Sequence, residues 1–178
     1  MKKLLLCALS SLVLAGCAAK TVTLKSTFNE AQAKQLLSNG NNQITGSAFV
    51  RQNGGNVVTC AGQTVNLIPS TDFTKERMGY IYNSTEKGFV PFNMFNELPV
   101  PKFANEPSNY KSYSRQTVCD AQGNFNFDKL ANGDFYIVSI VRWDIGNASM
   151  DFGARQGGAL MQKVSVSNGE TKKVLLVP

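Results

Sequence analysis

The side chains capable of catalysis are few in this chain, and their positions indicate turns rather than an active site. The sequence contains no histidine, so the commonest general base and metal ligand is missing. Asp120, Asp128 and Asp134 stand at turn positions, where a carboxylate accepts hydrogen bonds from nearby backbone amides. Their spacing is not that of an EF-hand calcium loop. The residues therefore predict no catalytic centre, no cofactor and no metal site.

The remaining reactive side chains are the cysteines, and one of them directly follows a short apolar segment at the N-terminus. Lys2 and Lys3 precede an apolar run over residues 4–14, and the tetrapeptide Leu14-Ala15-Gly16-Cys17 ends it. A run of about 11 residues is too short to cross a bilayer, which needs roughly 20. A plain cleaved signal peptide does not require a cysteine directly after the small residues. The pattern resembles a bacterial lipoprotein signal instead.

That resemblance implies a lipid on the Cys17 thiol, cleavage before this residue and acylation of the new amine. We therefore expect residues 1–16 to be a signal peptide and residues 17–42 to be a lipid-anchored tether with a short helix. Ala18 and Ala19 stand where an aspartate would resemble an inner-membrane retention signal. The resemblance thus favours the outer membrane, which the protein would contact through its lipid, and leaves open which face it occupies.

Two further cysteines, Cys60 and Cys119, remain once Cys7 leaves with the signal and Cys17 carries the lipid. Each follows a β-branched stretch, as expected at the end of a strand. Outside the cytoplasm an even pair of cysteines indicates a disulfide. The alternatives are two separately buried thiols or a metal site, although two cysteines without histidine make poor zinc ligands. We predict the bridge.

The charge of the chain argues against nucleic acid as a partner. The 18 basic and 12 acidic side chains give a formal net charge of +6, part of which leaves with Lys2 and Lys3. The basic residues are scattered and form no stripe of the kind that follows a phosphate backbone. We expect an ordinary solvated surface.

Hydrophobic periodicity divides the rest of the chain into a helix and a series of strands. Thr27 and Glu30 have the spacing of a capping box, before a helix that Asn39-Gly40 ends. From residue 43 apolar and polar residues alternate, which is typical of half-buried strands. We expect strands over 44–50, 57–59, 64–68, 113–119, 125–127, 135–143, 160–166 and 172–177, the last two as a hairpin around 167–170.

These elements predict an all-β fold. Seven or eight short strands with regular turns favour a single antiparallel β-sandwich over residues 43–178. A helical turn or two is expected over 74–81. Residues 83–113, where prolines and aromatic residues are frequent, are expected to form a long irregular insertion.

The run from Cys119 to Val138 gives the sandwich a more specific form. It contains a Phe125-x-Phe127 strand, then Leu130, then a turn at Gly133 that leads into the next strand. Phe125 and Phe127 point to one face, where we expect the core, and Gly133 permits the positive φ of a reversal. The run resembles the carboxypeptidase regulatory-like family of transthyretin-type (prealbumin-like) sandwiches, which implies a Greek-key strand order. That family is a scaffold, so the resemblance concerns fold more than function.

Two groups of side chains are candidates for binding. Arg142 and Trp143 end the long predicted strand, where the loops of a sandwich gather. The insertion adds six aromatic residues, namely Phe89, Phe92, Phe95, Phe103, Tyr110 and Tyr113, of which Phe92, Phe95, Tyr110 and Tyr113 are the preferred candidates. Aromatic side chains at loop tips provide contact area at low entropic cost and are common in interfaces. The alternative is that most of these rings cover a sheet as a small core of their own.

The missing catalytic groups and the anchor together predict a non-enzymatic, lipid-anchored envelope protein. Its sandwich would serve protein–protein contact, as an accessory of an envelope assembly or as a surface binding module, so the expected partner is an envelope protein. The alternative is a glycan- or peptidoglycan-binding module that uses its loop aromatics. We expect no cofactor in either case.

Overall fold

β-Strands dominate residues 20–93, 97–145 and 154–178, the part of the chain that this computed structural model describes. Two α-helices, α1 (Glu30–Leu36) and α2 (Asp72–Tyr82), and a 3₁₀ turn at Tyr110–Ser112 interrupt them. The strands are β1 (Thr21–Val22), β2 (Asn39–Arg51), β3 (Val57–Thr59), β4 (Thr64–Pro69), β5 (Lys87–Pro91), β6 (Lys102–Phe103), β7 (Arg115–Val118), β8 (Asn124–Leu130), β9 (Gly133–Ile145), β10 (Ala154–Val166) and β11 (Thr171–Leu176). Two sheets share one core, so the expected all-β sandwich is confirmed.

The first sheet holds five strands in the order β5-β10-β9-β4-β7, and all neighbours run antiparallel. Its centre is the pair β9 and β10, whose register runs from Gly133 opposite Val166 to Ile145 opposite Ala154. Side chains alternate between the two faces of such a sheet. One face of β9 therefore enters the core, and the other faces α2.

The second sheet is built around β2, whose 13 residues pair with three other strands. β8 and β3 lie along one side of β2 and are antiparallel to it, whereas β11 lies along the other side and is parallel. The predicted hairpin of 160–166 with 172–177 is therefore wrong, and so is a purely antiparallel sandwich. β10 already has β9 on one side and β5 on the other. β5 reaches only residues 158–162 of this edge, and the turn at 167–170 carries the chain on to the other sheet, where β11 pairs with β2.

Side chains from both sheets meet in one hydrophobic core. Phe125 and Phe127 are 4% and 5% exposed and Leu130 is 1% exposed, which confirms their predicted inward position. Gly133 has a φ of +151°, and a Cβ at this position would collide with Leu36 of α1. The positive φ of the turn favours glycine here.

A disulfide joins Cys60 to Cys119, as predicted. Cys60 follows β3 of one sheet and Cys119 follows β7 of the other, and their Cα atoms lie 5.8 Å apart. Both residues are buried. The Cys119 N–H donates to the Gln63 carbonyl at 3.0 Å, and the Gly62 N–H donates to the Cys119 carbonyl at 3.1 Å. The bridge thus links the two sheets at a corner that backbone hydrogen bonds also hold.

Several element boundaries differ from the predicted ones. The N-cap of α1 is Asn29, whose side chain accepts from the Gln32 N–H at 3.0 Å, and not Thr27. Between the two positions, the Phe28 ring packs against the rings of Phe73, Tyr110 and Tyr113. α2 is longer than predicted, because Thr71 caps it and its helical turns begin at 72. β2 starts at Asn39 rather than near residue 43.

The insertion over 83–113 is not wholly irregular. β5 forms an edge of the five-stranded sheet, in register from Gly158 opposite Pro91 to Gln162 opposite Lys87. β6 pairs in parallel with β1. Gly88 and Pro91 weaken the strand pattern of β5 in the sequence, since both residue types are depleted in strands.

The N-terminal segment is packed onto the domain from residue 20 onward. Its strand β1 pairs with β6, and the Glu76 carboxylate on α2 accepts from the Lys25 N–H at 2.9 Å and the Ser26 N–H at 2.8 Å. Leu24 is 3% exposed. The described part of the expected tether is therefore a strap across α2 and not a loose linker.

Candidate functional site

An open cleft of about 740 Å³ lies at one end of the sandwich. The turn between β2 and β3 forms one wall, and the ends of β5, β9 and β10 form the rest. Its lining residues are Val50, Arg51, Gln52, Asn53, Gly54, Phe89, Pro91, Trp143, Asp144, Ile145, Gln156 and Gly157. We call it the Trp143 cleft after the single tryptophan of the chain.

The floor of the Trp143 cleft is aromatic and rests on the core. Trp143 and Phe89 are both partly buried, and both pack against the main hydrophobic cluster. Alternation along β9 places Trp143 on the same face as Ile137 and Val141, which are fully buried. Trp143 lies where this face leaves the core, so its indole is held by packing and still borders the cleft.

The walls of the Trp143 cleft carry amides and two opposite charges. Gln52 and Asn53 extend from the β2–β3 turn, and Gln156 extends from β10. Arg51 and Asp144 are the two charged lining residues, and the Asp144 carboxylate is paired with Arg155, whose Nε lies 3.7 Å from Oδ1. The cleft therefore combines an apolar floor with hydrogen-bonding groups that both donate and accept.

The β2–β3 turn is a defined structure. The Gln52 N–H donates to the Asn56 carbonyl at 2.8 Å, and the Gly55 N–H donates to the Gln52 carbonyl at 2.9 Å. Gly55 has a φ of +88°, which favours glycine, whereas a Cβ at Gly54 would meet nothing within 4 Å. The turn can thus accept a side chain at Gly54 that would project into open space.

Arg142 and Phe92, two of the predicted binding residues, lie at this end of the sandwich but do not line the cleft. Arg142 is exposed and, as the neighbour of Trp143, points to the opposite face of β9. The Phe92 ring lies 5.8 Å from the guanidinium carbon of Arg155. The Nε of Arg155 in turn lies 3.7 Å from Oδ1 of Asp144. Of the binding residues predicted at this end of the sandwich, Trp143 therefore lines the cleft, whereas Arg142 and Phe92 do not.

Tyr110 and Tyr113 belong to a second, smaller core on α2. Tyr110 is only 4% exposed, and its ring centroid lies 5.1 Å from that of Phe73 and 5.2 Å from that of Phe28. Its hydroxyl donates to Oγ1 of Thr74 at 3.2 Å, and burial raises its pKa. Tyr113 stacks edge-on against Phe28 at 5.2 Å. Tyr110 is therefore an interior residue, which agrees with the alternative that these rings form a core of their own.

Two predicted sites lie outside the described residues. Phe95 and Cys17 fall in the ranges 94–96 and 1–19, so a binding role for the first and a lipid on the second stay predictions. Neither α1 nor α2 has the length and hydrophobicity of a membrane-spanning helix.

Of the side chains that resemble catalytic groups, Asp120 and Ser84 belong to turns, whereas Asp128 lies in β8 and Asp134 in β9, so their predicted turn positions are wrong. Oδ1 of Asp120 accepts from the Asn124 N–H at 2.8 Å and from the Gln122 N–H at 2.9 Å. These hydrogen bonds hold the pKa of Asp120 below its usual value, and the bond from the Asn124 N–H has the largest effect. Ser84 and Lys87 have the Ser-x-x-Lys spacing of some acyl enzymes, but Oγ of Ser84 accepts from the Lys87 N–H at 3.3 Å and so closes a turn. Within the described ranges, no three His, Cys, Asp or Glu residues are grouped to hold a metal ion.

A second groove, of about 660 Å³, runs between the N-terminal strap and α2. Lys25 and Lys75 line it together with Asp72 and Glu76, and Tyr80 adds an aromatic ring that is 45% exposed. The Glu76 carboxylate is already occupied by the strap. This groove lacks an aromatic floor supported by the core, so the Trp143 cleft is the better candidate for binding.

Sequence reasoning missed most of the cleft. Gln52 and Gln156 carry no local signal of binding, Phe89 was one of the six aromatic residues of the insertion, and Asn53-Gly54-Gly55 indicated only a turn. These residues come together because β2, β5, β9 and β10 end at the same end of the sandwich.

Comparison with known proteins identifies the fold and no family. No protein-family model matches the sequence, and no curated protein matches it either. The structure is similar to a crystal structure of a Pseudomonas aeruginosa protein that is provisionally described as a carbohydrate binding protein. The TM-score is 0.68 at 22% sequence identity, and the match covers 86% of this chain and 99% of that one. At this identity the similarity shows a shared fold.

Proposed function

We propose that this protein is a carbohydrate-binding module whose ligand lies against Trp143. The observation that carries the proposal is the aromatic floor of Trp143 and Phe89 between amide-bearing walls in an open cleft. A sugar ring presents an apolar C–H face and a rim of hydroxyl groups. An aromatic floor complements the first, and amides complement the second. Concave sites with an apolar floor and a few polar groups are typical of small-ligand binding.

The Pseudomonas aeruginosa protein supports the same ligand class. Its description names carbohydrate, and its fold matches over most of both chains. Its identity of 22% carries no residue of its own site to this chain, so the proposal depends on the Trp143 cleft.

The proposal includes the location and scaffold that the sequence predicts. A lipid on Cys17 would hold the domain at the outer membrane, and the run from Cys119 to Val138 favours a transthyretin-type Greek key. The site would bind without catalysis, since the chain has no histidine and Asp120 is engaged in a turn. The intact mass of the protein from membranes tests the anchor. We expect added acyl chains on the wild type and none on Cys17→Ser.

The binding proposal is tested by titrating the protein with a panel of oligosaccharides while binding is measured by tryptophan fluorescence and by calorimetry. Because Trp143 is the only tryptophan, its emission reports directly on the cleft. We expect a saturable change with at least one oligosaccharide. Trp143→Ala should weaken that binding by roughly 30-fold, or about 2 kcal/mol, as removal of a central aromatic contact does.

Two further variants separate binding from folding, because Trp143 also packs against the core. Gly54→Leu places a side chain in the open space of the cleft without backbone strain, and it should block the ligand while leaving stability near that of the wild type. Tyr80→Ala removes an exposed aromatic ring from the other groove and should bind normally. Wild-type affinity in both Trp143→Ala and Gly54→Leu would show that the ligand site is elsewhere.

A second candidate function is contact with an envelope protein. β7 and β11 are edge strands, and they expose Val118 and Leu175 by 60% and 53%. Edges of this kind can pair with a strand of a partner. In-cell cross-linking with mass spectrometry tests it. Cross-links from β7 or β11 to one dominant protein would favour this candidate. Their absence would favour carbohydrate binding instead.

A further inference from the structure

Four Asn-Gly pairs occur in this chain, beginning at Asn39, Asn53, Asn132 and Asn168. Such a pair can deamidate without an enzyme, because the backbone nitrogen after the asparagine attacks the side-chain amide carbon and glycine has no Cβ to obstruct it. The reaction needs an asparagine side chain that can turn towards that nitrogen and an N–H that is not already donating. The fold therefore decides which of the four pairs reacts.

The pairs at Asn132 and Asn168 are held by one buried side chain, that of Asn42. The Gly169 N–H donates to Oδ1 of Asn42 at 2.8 Å, so the nitrogen that would attack Asn168 is engaged. Oδ1 of Asn132 accepts from Nδ2 of Asn42 at 2.9 Å and from the Asn168 N–H at 3.2 Å. These bonds fix the orientation of the Asn132 amide.

The pair Asn39-Gly40 is held by a strand and by an arginine. Both residues belong to β2, where Asn39 lies opposite Leu130 of β8. Oδ1 of Asn39 accepts from Nη2 of Arg115 at 3.3 Å. The extended, paired backbone and the tethered amide both oppose closure of a five-membered ring between the two residues.

The pair Asn53-Gly54 has none of these restraints. The two hydrogen bonds that close the β2–β3 turn, from the Gln52 N–H to Asn56 and from the Gly55 N–H to Gln52, both bypass it. Within the part of the chain that the structure describes, neither the Asn53 side chain nor the Gly54 N–H has a hydrogen-bond partner. Both residues are exposed, and a Cβ at Gly54 would meet nothing within 4 Å. Solvent therefore reaches both reacting groups.

We propose that Asn53 is the site at which the folded protein deamidates. The Gly54 nitrogen bonds to Cγ of Asn53 and gives up its proton to solvent, and Nδ2 takes up a proton and leaves as ammonia. Water then opens the cyclic imide at either carbonyl, which gives aspartate or isoaspartate. Because Asn53 lines the Trp143 cleft, either product replaces an amide of the cleft wall by a carboxylate, which only accepts hydrogen bonds.

The test is incubation of the folded protein in warm, mildly alkaline buffer, with digestion and mass spectrometry at intervals to measure the loss of each asparagine. We expect Asn53 to react at least about tenfold faster than the other three, because one hydrogen bond that must break before the ring closes can account for such a factor. Gly54→Ala is the matched variant, since it adds a Cβ beside the attacking nitrogen in open space. It should slow the reaction at Asn53 by at least about tenfold and leave the other sites unchanged.

A second incubation, in urea with the disulfide reduced, assigns the selectivity to the fold. There the four pairs should react at similar rates. Faster loss of Asn39, Asn132 or Asn168 than of Asn53 in the folded protein would overturn the proposal. Equal rates at the four sites in the folded protein would overturn it too, because the hydrogen bonds at the other three pairs would then not protect them. None of these measurements depends on what the cleft binds.

Discussion

The bridge between Cys60 and Cys119 offers a quantitative test of how this sandwich is held together. Two perturbations remove it. Reduction of the wild type keeps both sulfur atoms in place, whereas Cys60→Ala with Cys119→Ala removes them. Alanine is preferable to serine, because the two residues are 0% and 3% exposed and a serine hydroxyl would be buried without a planned partner.

The expected magnitude follows from the loop that the bridge closes. Cys60 and Cys119 are separated by 59 positions. For a loop of about 60 residues, the chain-entropy relation gives about 4 kcal/mol of stabilisation at 25 °C. A domain of this size has a free energy of unfolding of about 5–15 kcal/mol. The bridge would thus supply a large part of the net stability, mainly by restricting the unfolded chain.

Urea unfolding, followed by circular dichroism and by Trp143 fluorescence, measures this contribution. We expect the free energy of unfolding to fall by about 4 kcal/mol on reduction and by slightly more in the double alanine variant, which also loses packing. The slope of the free energy against urea should rise, because the unfolded chain expands. A loss below about 1 kcal/mol on reduction would refute the reasoning and show that the unfolded chain is already compact around this loop.

Three further perturbations test other parts of the fold. The Asn42 side chain is 1% exposed, donates two hydrogen bonds and accepts two from backbone N–H groups. Asn42→Ala leaves the buried partners of these bonds unsatisfied, so the free energy of unfolding, measured by urea denaturation, should fall by about 3 kcal/mol. Gly157→Ala should lower the free energy of unfolding, measured by thermal denaturation, by about 2 kcal/mol or more, because φ is +98° and a Cβ would collide with the backbone of β9. Gly54→Ala is the matched control, since a Cβ there meets only open space, and it should leave the stability nearly unchanged. A hydrogen bond from the Ser165 hydroxyl is the largest cause that lowers the pKa of Asp134. This carboxylate therefore stabilises the fold above its unfolded pKa of about 3.9 and loses that effect as pH falls through the lower folded pKa. The stability difference between the wild type and Asp134→Asn should close between about pH 5 and pH 2, and a constant difference would contradict the pKa shift.

The parts of the fold that were predictable are those with a local cause. Alternation of apolar residues predicted β8 and β9, and the inward positions of Phe125 and Phe127 follow from the pleat alone. The number of cysteines predicted the bridge, because the predicted leader accounts for Cys7 and Cys17 and leaves one pair. The turn at Gly133 was predictable because a backbone reversal there requires a residue without a Cβ.

The parts that were not predictable depend on which edges and faces are already occupied. A turn between two strand patterns normally indicates a hairpin, but β11 pairs instead with β2 of the other sheet, a partner 128 positions earlier in the chain. The burial of Tyr110 depends on Phe28 and Phe73, which lie far away in the sequence. The Trp143 cleft combines segments of β2, β5, β9 and β10 in the same way, so that of its lining only the aromatic residues Trp143 and Phe89 carried a signal in the sequence.

The parallel pairing of β2 with β11 has a consequence for the order of events during synthesis. Thr171 lies opposite Gln43, 128 positions earlier in the chain. Until residues 171–176 have been made, one side of β2 carries unpaired backbone groups, although β3 and β8 can already cover the other side. An open edge of this kind is a template for strands of other chains, and a contact across so long a loop forms slowly. A nascent or truncated chain that lacks residues 171–176 is thus expected to self-associate through β2 rather than to behave as a slightly smaller domain.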